Sequence, residues 1–299
     1  MMTWKLWRVL NIPPAGDPIF RHAAHYYQSP GRWRRLLDYI AFIVVITLLV
    51  AYLRASFLAL STDLNPLILF VGLVLLGGTI YGFDWALAIS DTVALARTNH
   101  TLDLLCITPR GAIGAIWSLG LSQLHRASSF RNRYAGRRRV FFSLGAVLLL
   151  LLFALGGMVL TATNAEARPL LDLTALLVGM LSSFAFLVAT YLDFIQSIIV
   201  GVLVGMIVPS FSRQRSDAQL WAASGFLVAQ FGSYLVTYLI GFVVLPVARN
   251  TFDIEFTTLE LLLLFPRLIV FFLVREALIA LLWRWLALHF HEETAIITT

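Results

Sequence analysis

The chain has 299 residues, 60% of them hydrophobic and 13% charged, with a mean hydropathy of +0.85 and a formal net charge of +6. A soluble domain cannot bury that much apolar surface and still present a polar exterior, so the composition predicts an all-α, polytopic helical membrane protein. The apolar runs are continuous rather than alternating, which excludes a transmembrane barrel, and the single cysteine, Cys106, excludes both an internal disulfide and a cysteine cluster for zinc or iron–sulfur.

Residues 1–35 form a basic, aromatic segment. Lys5, Arg8, Arg21, Arg32, Arg34 and Arg35 stand against Asp17 alone, interleaved with Trp4, Trp7, Tyr26, Tyr27 and Trp33. Cations and amphipathic rings together suit the headgroup level of a bilayer. Because no apolar run precedes Leu36, no cleavable signal peptide is expected, and the first span serves as the targeting signal. The excess of cations reports orientation and headgroup contact; no nucleic-acid-binding module is recognised, and no nucleic acid is expected as a partner.

Apolar runs at about 36–60 and 66–90, joined by STDLNP with its Asn65-Pro66 turn, predict a transmembrane hairpin over 36–90. A polar segment, 91–138, follows. A third apolar run, at about 139–162, opens a helical bundle over 139–288 that continues through 170–211, 217–246 and 257–288, with a polar tail at 289–299. The stretch 170–211 is about twice the length of one crossing. One crossing there puts Arg213 and Arg215 on the same side as the basic 1–35 and 91–138 segments; two crossings reverse this. Charge therefore favours six spans plus an extra half-span or interfacial helix, with the N-terminus cytoplasmic, and length favours seven.

In 91–138, arginines 97, 110, 126, 131, 133, 137 and 138 face only Asp91 and Asp103, which predicts a cytoplasmic location. Ile113, Ile116, Trp117, Gly120, Leu121 and Leu124 recur at helical spacing and form one apolar face. Leu95, Leu102 and Leu105 mark another, and Pro109 separates the two. The segment reads as two amphipathic pieces on the membrane surface. Leu102, Asp103, Leu105, Pro109, Ile113, Ile116 and Trp117 are the expected partner contacts.

Ionisable residues in apolar spans are costly in lipid and mark either a pathway or a bond between helices. Asp84 and Asp91, seven apart, share a helix face. Asp193 lies three residues before Gln196, and Arg54, Arg267, Arg275 and Glu276 lie in or near spans. Asp84, Asp193 and Gln196 are the intramembrane polar candidates. Gly201 and Gly205 form a small-xxx-small pair suited to close helix packing, and Pro209 ends or kinks that helix. None of the six histidines sits deep in a span, so no metal, haem or pigment ligation is expected. No phosphate-binding Walker loop, G-x-S-x-G elbow or H-E-x-x-H pair is present, and neither catalytic residues nor a cofactor are expected.

Two spans followed by an amphipathic T-L-D-L-L-x-x-T-P segment and then further spans resemble the permease subunits of ATP-binding-cassette exporters of the second type. In that family a Gly-Thr-Leu-Glu/Asp-Leu-Leu…Thr-Pro stretch follows the second span and touches the ATPase subunit. Thr101, Leu102, Asp103, Leu104, Leu105, Thr108 and Pro109 match it, and Asp17-Pro18-Ile19-Phe20-Arg21 looks like a variant of its Asn-Pro-Val-x-x-Arg-Glu motif. The link at Ser212–Asp217 stands where the family has a basic loop between its fourth and fifth spans. The acids that usually precede the coupling stretch are absent: Ala96, Arg97, Thr98, Asn99 and His100 stand there, with His100 in place of the glycine.

The resemblance implies a subunit of an ATP-driven exporter in a bacterial plasma membrane. It would form homo- or hetero-oligomers and couple to a separate ATPase through 91–126. The alternative is a non-transporting integral subunit of a larger energy-converting complex, respiratory or photosynthetic, using the same fold for helix packing and subunit contacts. A membrane enzyme with Asp193 or Asp84 in its site is the third reading.

Overall fold

Long apolar runs give the backbone no partner but itself, and helix satisfies every N–H and C=O within the segment. The computed structural model describes residues 1–14, 16–26, 66–106, 111–125, 169–212, 214–244 and 259–290, and among these every regular element is helical, with no strand. In chain order they are α1 (Met2–Asn11), α2 (Pro18–Tyr26), α3 (Pro66–Thr98), α4 (Thr101–Cys106), α5 (Gly111–His125), α6 (Pro169–Ile207), α7 (Arg215–Tyr238) and α8 (Leu259–His289). A short 3-10 turn, Val208–Ser210, closes α6, and α7 widens into a π turn at Leu239–Val244. The expected first span at 36–60, the run at 139–162 and nearly all of the 289–299 tail lie outside the described residues.

The ambiguous stretch resolves as one helix. α6 runs unbroken for 39 residues through Asp193, about 58 Å at the usual rise, so the chain does not turn back there. Two described stretches, Val188–Ser210 and Arg215–Gly241, are long and apolar enough to cross a membrane. The first is largely buried inside the chain; the second turns most of its surface outward.

The core is built on α3 against α6. Asp193, Ser197, Gly201 and Gly205 recur every fourth residue on α6, and Gly78, Gly82 and Ala86 do the same on α3. The stripes meet almost backbone to backbone: a Cβ added at Gly201 would lie 2.2 Å from the Gly82 carbonyl oxygen, and one at Gly205 2.8 Å from that of Ala86. Small residues permit this approach, which any larger side chain would forbid. Around the seam pack Trp85, Ile89, Ile195, Leu203, Phe226 and Ile279.

Three side-chain clamps fix the end where α3 and α6 finish. Arg97 donates from Nη1 to the carbonyls of Pro209 (2.8 Å), Ser210 (2.8 Å) and Ser212 (3.1 Å), satisfying groups a helix end leaves unpaired. Asp91 accepts from both Arg215, whose Nη2 lies 2.6 Å from Oδ2, and Gln219, at 2.7 Å. Phe211 stacks on Trp285 and meets the His289 ring at 4.8 Å. The ends of α3, α6 and α8 and the start of α7 therefore share one end of the bundle.

α1, α2 and α5 wrap that bundle. Asp17 caps α2, accepting from the Ile19 N–H at 3.0 Å and from the Ser118 hydroxyl of α5. A His125 ring nitrogen lies 2.7 Å from the Leu10 carbonyl oxygen. The start of α1 rests on Glu276 of α8, whose carboxylate accepts from the Met2 N–H, the Thr3 N–H and the Thr3 hydroxyl. A carboxylate there satisfies orphan N–H groups and complements the positive end of the helix dipole.

Candidate functional site

Four helices each send polar groups to one buried point. On α7, Gln230, Ser233 and Tyr234 fall at i, i+3 and i+4 and so share a face. α6 supplies Asp193 and Ser197, α3 supplies Thr79, and α8 supplies Arg275. Arg275 and Asp193 are both fully buried and form an ion pair, Nη2 to Oδ1, at 2.6 Å. The same nitrogen donates to Ser197 Oγ at 2.5 Å, while Nη1 donates to Gln230 Oε1 at 2.8 Å and Ser233 Oγ at 3.2 Å.

Further side chains bond around that pair. The Tyr234 hydroxyl donates to Asp193 Oδ1 at 2.8 Å. Gln230 Nε2 is within reach of Ser197 Oγ (2.8 Å), Tyr234 Oη (2.7 Å) and Thr79 Oγ1 (3.0 Å). The guanidinium carbon lies 5.1 Å from the Tyr234 ring centre and 5.7 Å from that of Phe271, and the two rings stack on each other. Aromatic faces and a fork of hydrogen bonds suit arginine and would not suit lysine. Gly78 leaves the room Asp193 needs, since a Cβ there would lie 2.2 Å from Oδ2.

This network joins α6, α7, α8 and α3 deep in the bundle. Thr79 precedes Asp91 by twelve residues, about 18 Å of helix. A buried pair of this kind adds little net stability over a well-packed apolar core, but breaking it by removing one partner is costly. That asymmetry makes it a latch in the energetic sense: loss of either partner leaves the other charge buried and unpaired. Four buried polar atoms here have no hydrogen-bond partner: Asp193 Oδ2, Arg275 Nε and both amide atoms of Gln196. Among the described residues no group of three His, Cys, Asp or Glu could hold a metal.

Of the intramembrane candidates, Asp193 is at the centre of this site. Gln196 is equally buried but does not bond to the network, and Asp84 sits half-buried on another part of α3. Gly201 and Gly205 lie in the helix seam. The sequence reading left out Thr79, Ser197, Gln230, Ser233 and Tyr234. The signal was present in Gln230 and Tyr234, two polar side chains one helical turn apart in an apolar span.

The expected partner face is divided. Ile113, Ile116 and Trp117 are buried, with Trp117 edge-on to Trp283 at 5.6 Å, so their apolar stripe packs into the chain's own core. The same periodicity describes a face packed inward or outward, and α5 packs inward. Leu102 and Leu105 are half-buried against Ala23, Ala96 and Leu119. Asp103 lies in α4, its side chain outside the described residues, as is Pro109. What α4 does present outward is Leu104, 69% exposed. Just before it, His100 adopts φ 55°, the left-handed region that favours glycine.

No family model, curated protein or solved structure matches the chain.

Proposed function

We propose that the chain is the membrane-embedded permease-type subunit of an ATP-driven exporter, docking a separate ATPase at α4. Its spans would number six with a single crossing through α6, and the end carrying α4 would be cytoplasmic. The observation that carries this reading is the mechanical continuity of α4. It exposes Leu104 at the bundle end and follows directly on α3, whose Arg97 grips the closing turn of α6. A push on α4 would pass through α3 and Arg97 to the α6–α7 link, and so to the helices that meet at Arg275.

Two further features support it. His100, standing where the resembled family has glycine, is the one non-glycine with a left-handed backbone among the described residues. The Asp91–Arg215 clamp sets the 212–217 link beside the end of α3, as a single crossing through 170–211 requires.

The reading is tested by affinity purification of the full chain from mild detergent. Stoichiometric recovery of a Walker-type ATPase, lost in Leu104→Arg without loss of folded protein, is the expected result. A stoichiometric multi-subunit assembly without an ATPase would overturn it. That outcome would favour the second reading, an integral subunit of a larger energy-converting complex. The second reading draws on the missing acids at 96–100, which leave a docking face without its usual charges, and on the burial of Ile113, Ile116 and Trp117, which removes much of its apolar surface.

A further inference from the structure

Between α6, α7 and α8, toward the end where α6 finishes, lies a cavity of about 480 Å³. Val204 and Val208 of α6, Gly225 and Ala229 of α7, and Leu282 of α8 wall it. Trp221 and Trp285 line it as well, and of all its lining residues only these two carry a polar side-chain atom, the indole nitrogen. Ordered water needs two to four polar partners, so the interior suits hydrocarbon. The size is that of a ligand site rather than of a packing void.

The position of the cavity names its occupant. Trp221 and Trp285 are 61% and 48% exposed, and Phe211, stacked on Trp285, is exposed with them. Indoles gather at the membrane–water boundary. From Trp221 to Ala229 the wall on α7 runs just over two turns, about 12 Å. One leaflet of hydrocarbon is about 15 Å deep, half of the bilayer core. α7 turns most of its surface outward, and Leu220, Val228 and Leu281, each next in sequence to a lining residue, are exposed.

We propose that this cavity holds one acyl chain of a bilayer phospholipid, entering sideways from the leaflet at that end, with the headgroup outside at the level of Trp221 and Trp285. The proposal rests on the reading of the chain as membrane-embedded and needs no ATPase. Ala229, at the inner end, immediately precedes Gln230, so the seated chain packs against the turn of α7 that bonds to Arg275.

The experiment places the full chain in phosphatidylcholine nanodiscs with a trace of phosphatidylcholine that carries a diazirine midway along one chain. After illumination, labelled residues are located by peptide mass spectrometry. Val204 and Leu282 are 4% and 8% exposed, so label there reports a chain inside the cavity, whereas label at the exposed Leu235 and Leu273 reports lipid around the protein. Label at all four positions is expected. Gly225→Leu, which fills the cavity, should cut labelling at Val204 and Leu282 about tenfold, the worth of roughly two buried methylenes, and leave Leu235 and Leu273 unchanged. Gly225→Ala should retain the whole pattern, since its added Cβ lies 3.6 Å from Val204, an ordinary contact. Ala229→Leu, one turn deeper, fills the same space and carries the test should Gly225→Leu not fold. Label confined to Leu235 and Leu273, or undiminished label at Val204 and Leu282 in a folded leucine variant, overturns the proposal while leaving the membrane reading intact. So does label at Val204 and Leu282 from a diazirine-bearing free fatty acid but not from the phospholipid. A folded chain that does not enter the discs at all overturns both.

Discussion

Arg275 and Glu276 are adjacent on α8 yet serve opposite partners. Arg275 turns inward to Asp193 on α6 and Gln230 on α7, and Glu276 turns to the first residues of α1. Neighbours on a helix point about 100° apart, so one turn of α8 holds both the buried latch and the N-terminal helix. Rotation of α8 about its axis would strain both at once.

The latch should show the asymmetry of a buried ion pair. Arg275→Leu leaves the Asp193 carboxylate unpaired and should cost about 3–5 kcal/mol, read as a large fall in the thermal midpoint of the full chain in detergent. Asp193→Leu combined with Arg275→Met removes both charges and should recover most of that loss. A double variant no more stable than Arg275→Leu would show that the hydrogen bonds to Ser197 and Gln230, and not the charges, hold the helices.

The glycine seam should be graded by position. Gly201→Ala places a Cβ 2.2 Å from a backbone oxygen that cannot swing aside, so α3 and α6 must separate. Gly205→Ala meets backbone at 2.8 Å and should cost less. At Gly232, on the outward side of α7, an added Cβ meets nothing within 4 Å. Gly232→Ala should therefore stabilise by about 0.5–1 kcal/mol, the helix-propensity gain. Thermal midpoints in one detergent rank the three.

α4 and α5 should separate function from fold. Trp117→Ala empties a buried aromatic site and should cost about 3–5 kcal/mol, whereas Leu104→Ala on the surface should change stability by less than about 0.5 kcal/mol. Partner recovery should show the reverse order once folded protein is normalised. If both variants lose stability equally, α4 is buried against the rest of the chain and offers no docking face.

At His100 the left-handed backbone costs a side chain roughly 1–2 kcal/mol, so His100→Gly should raise the thermal midpoint. His100→Val, β-branched, should lower it further than His100→Ala. A fall on introducing glycine would mean that the imidazole contributes more than the backbone strain it tolerates.

Topology is open to a direct chemical test. Gln214 is exposed beside the Asp91–Arg215 clamp. In a Cys106→Ser background, Gln214→Cys should react with a membrane-impermeant maleimide only after the membrane is opened. Labelling of intact cells from outside would reject a cytoplasmic link and with it the six-crossing arrangement.

The sequence made helical class and the Gly201–Gly205 spacing legible because both are local: periodicity and small residues need no knowledge of the partner. Asp193 stood out because a charge in an apolar run is costly wherever it packs. Its counter-ion did not. Arg275 lies 82 residues away in a run with several charges, and nothing in its own surroundings names Asp193 as partner. The direction of α5 was illegible for a related reason. A stripe of Ile113, Ile116 and Trp117 has the same period whether it meets a partner or the chain's own core, and only the packing of α2, α3 and α6 around it decides.

The contact of α3 with α6 carries one more implication. At Gly82–Gly201 and Ala86–Gly205 the two helices meet through glycine and carbonyl, with no side chain there to switch rotamers or repack. That part of the contact favours the two helices moving as a single plate. Movement within the described bundle is then taken up along the other borders, toward α7 and α8, and the bonds that cross those borders gather at Arg275 and at the Asp91 clamp to Arg215 and Gln219.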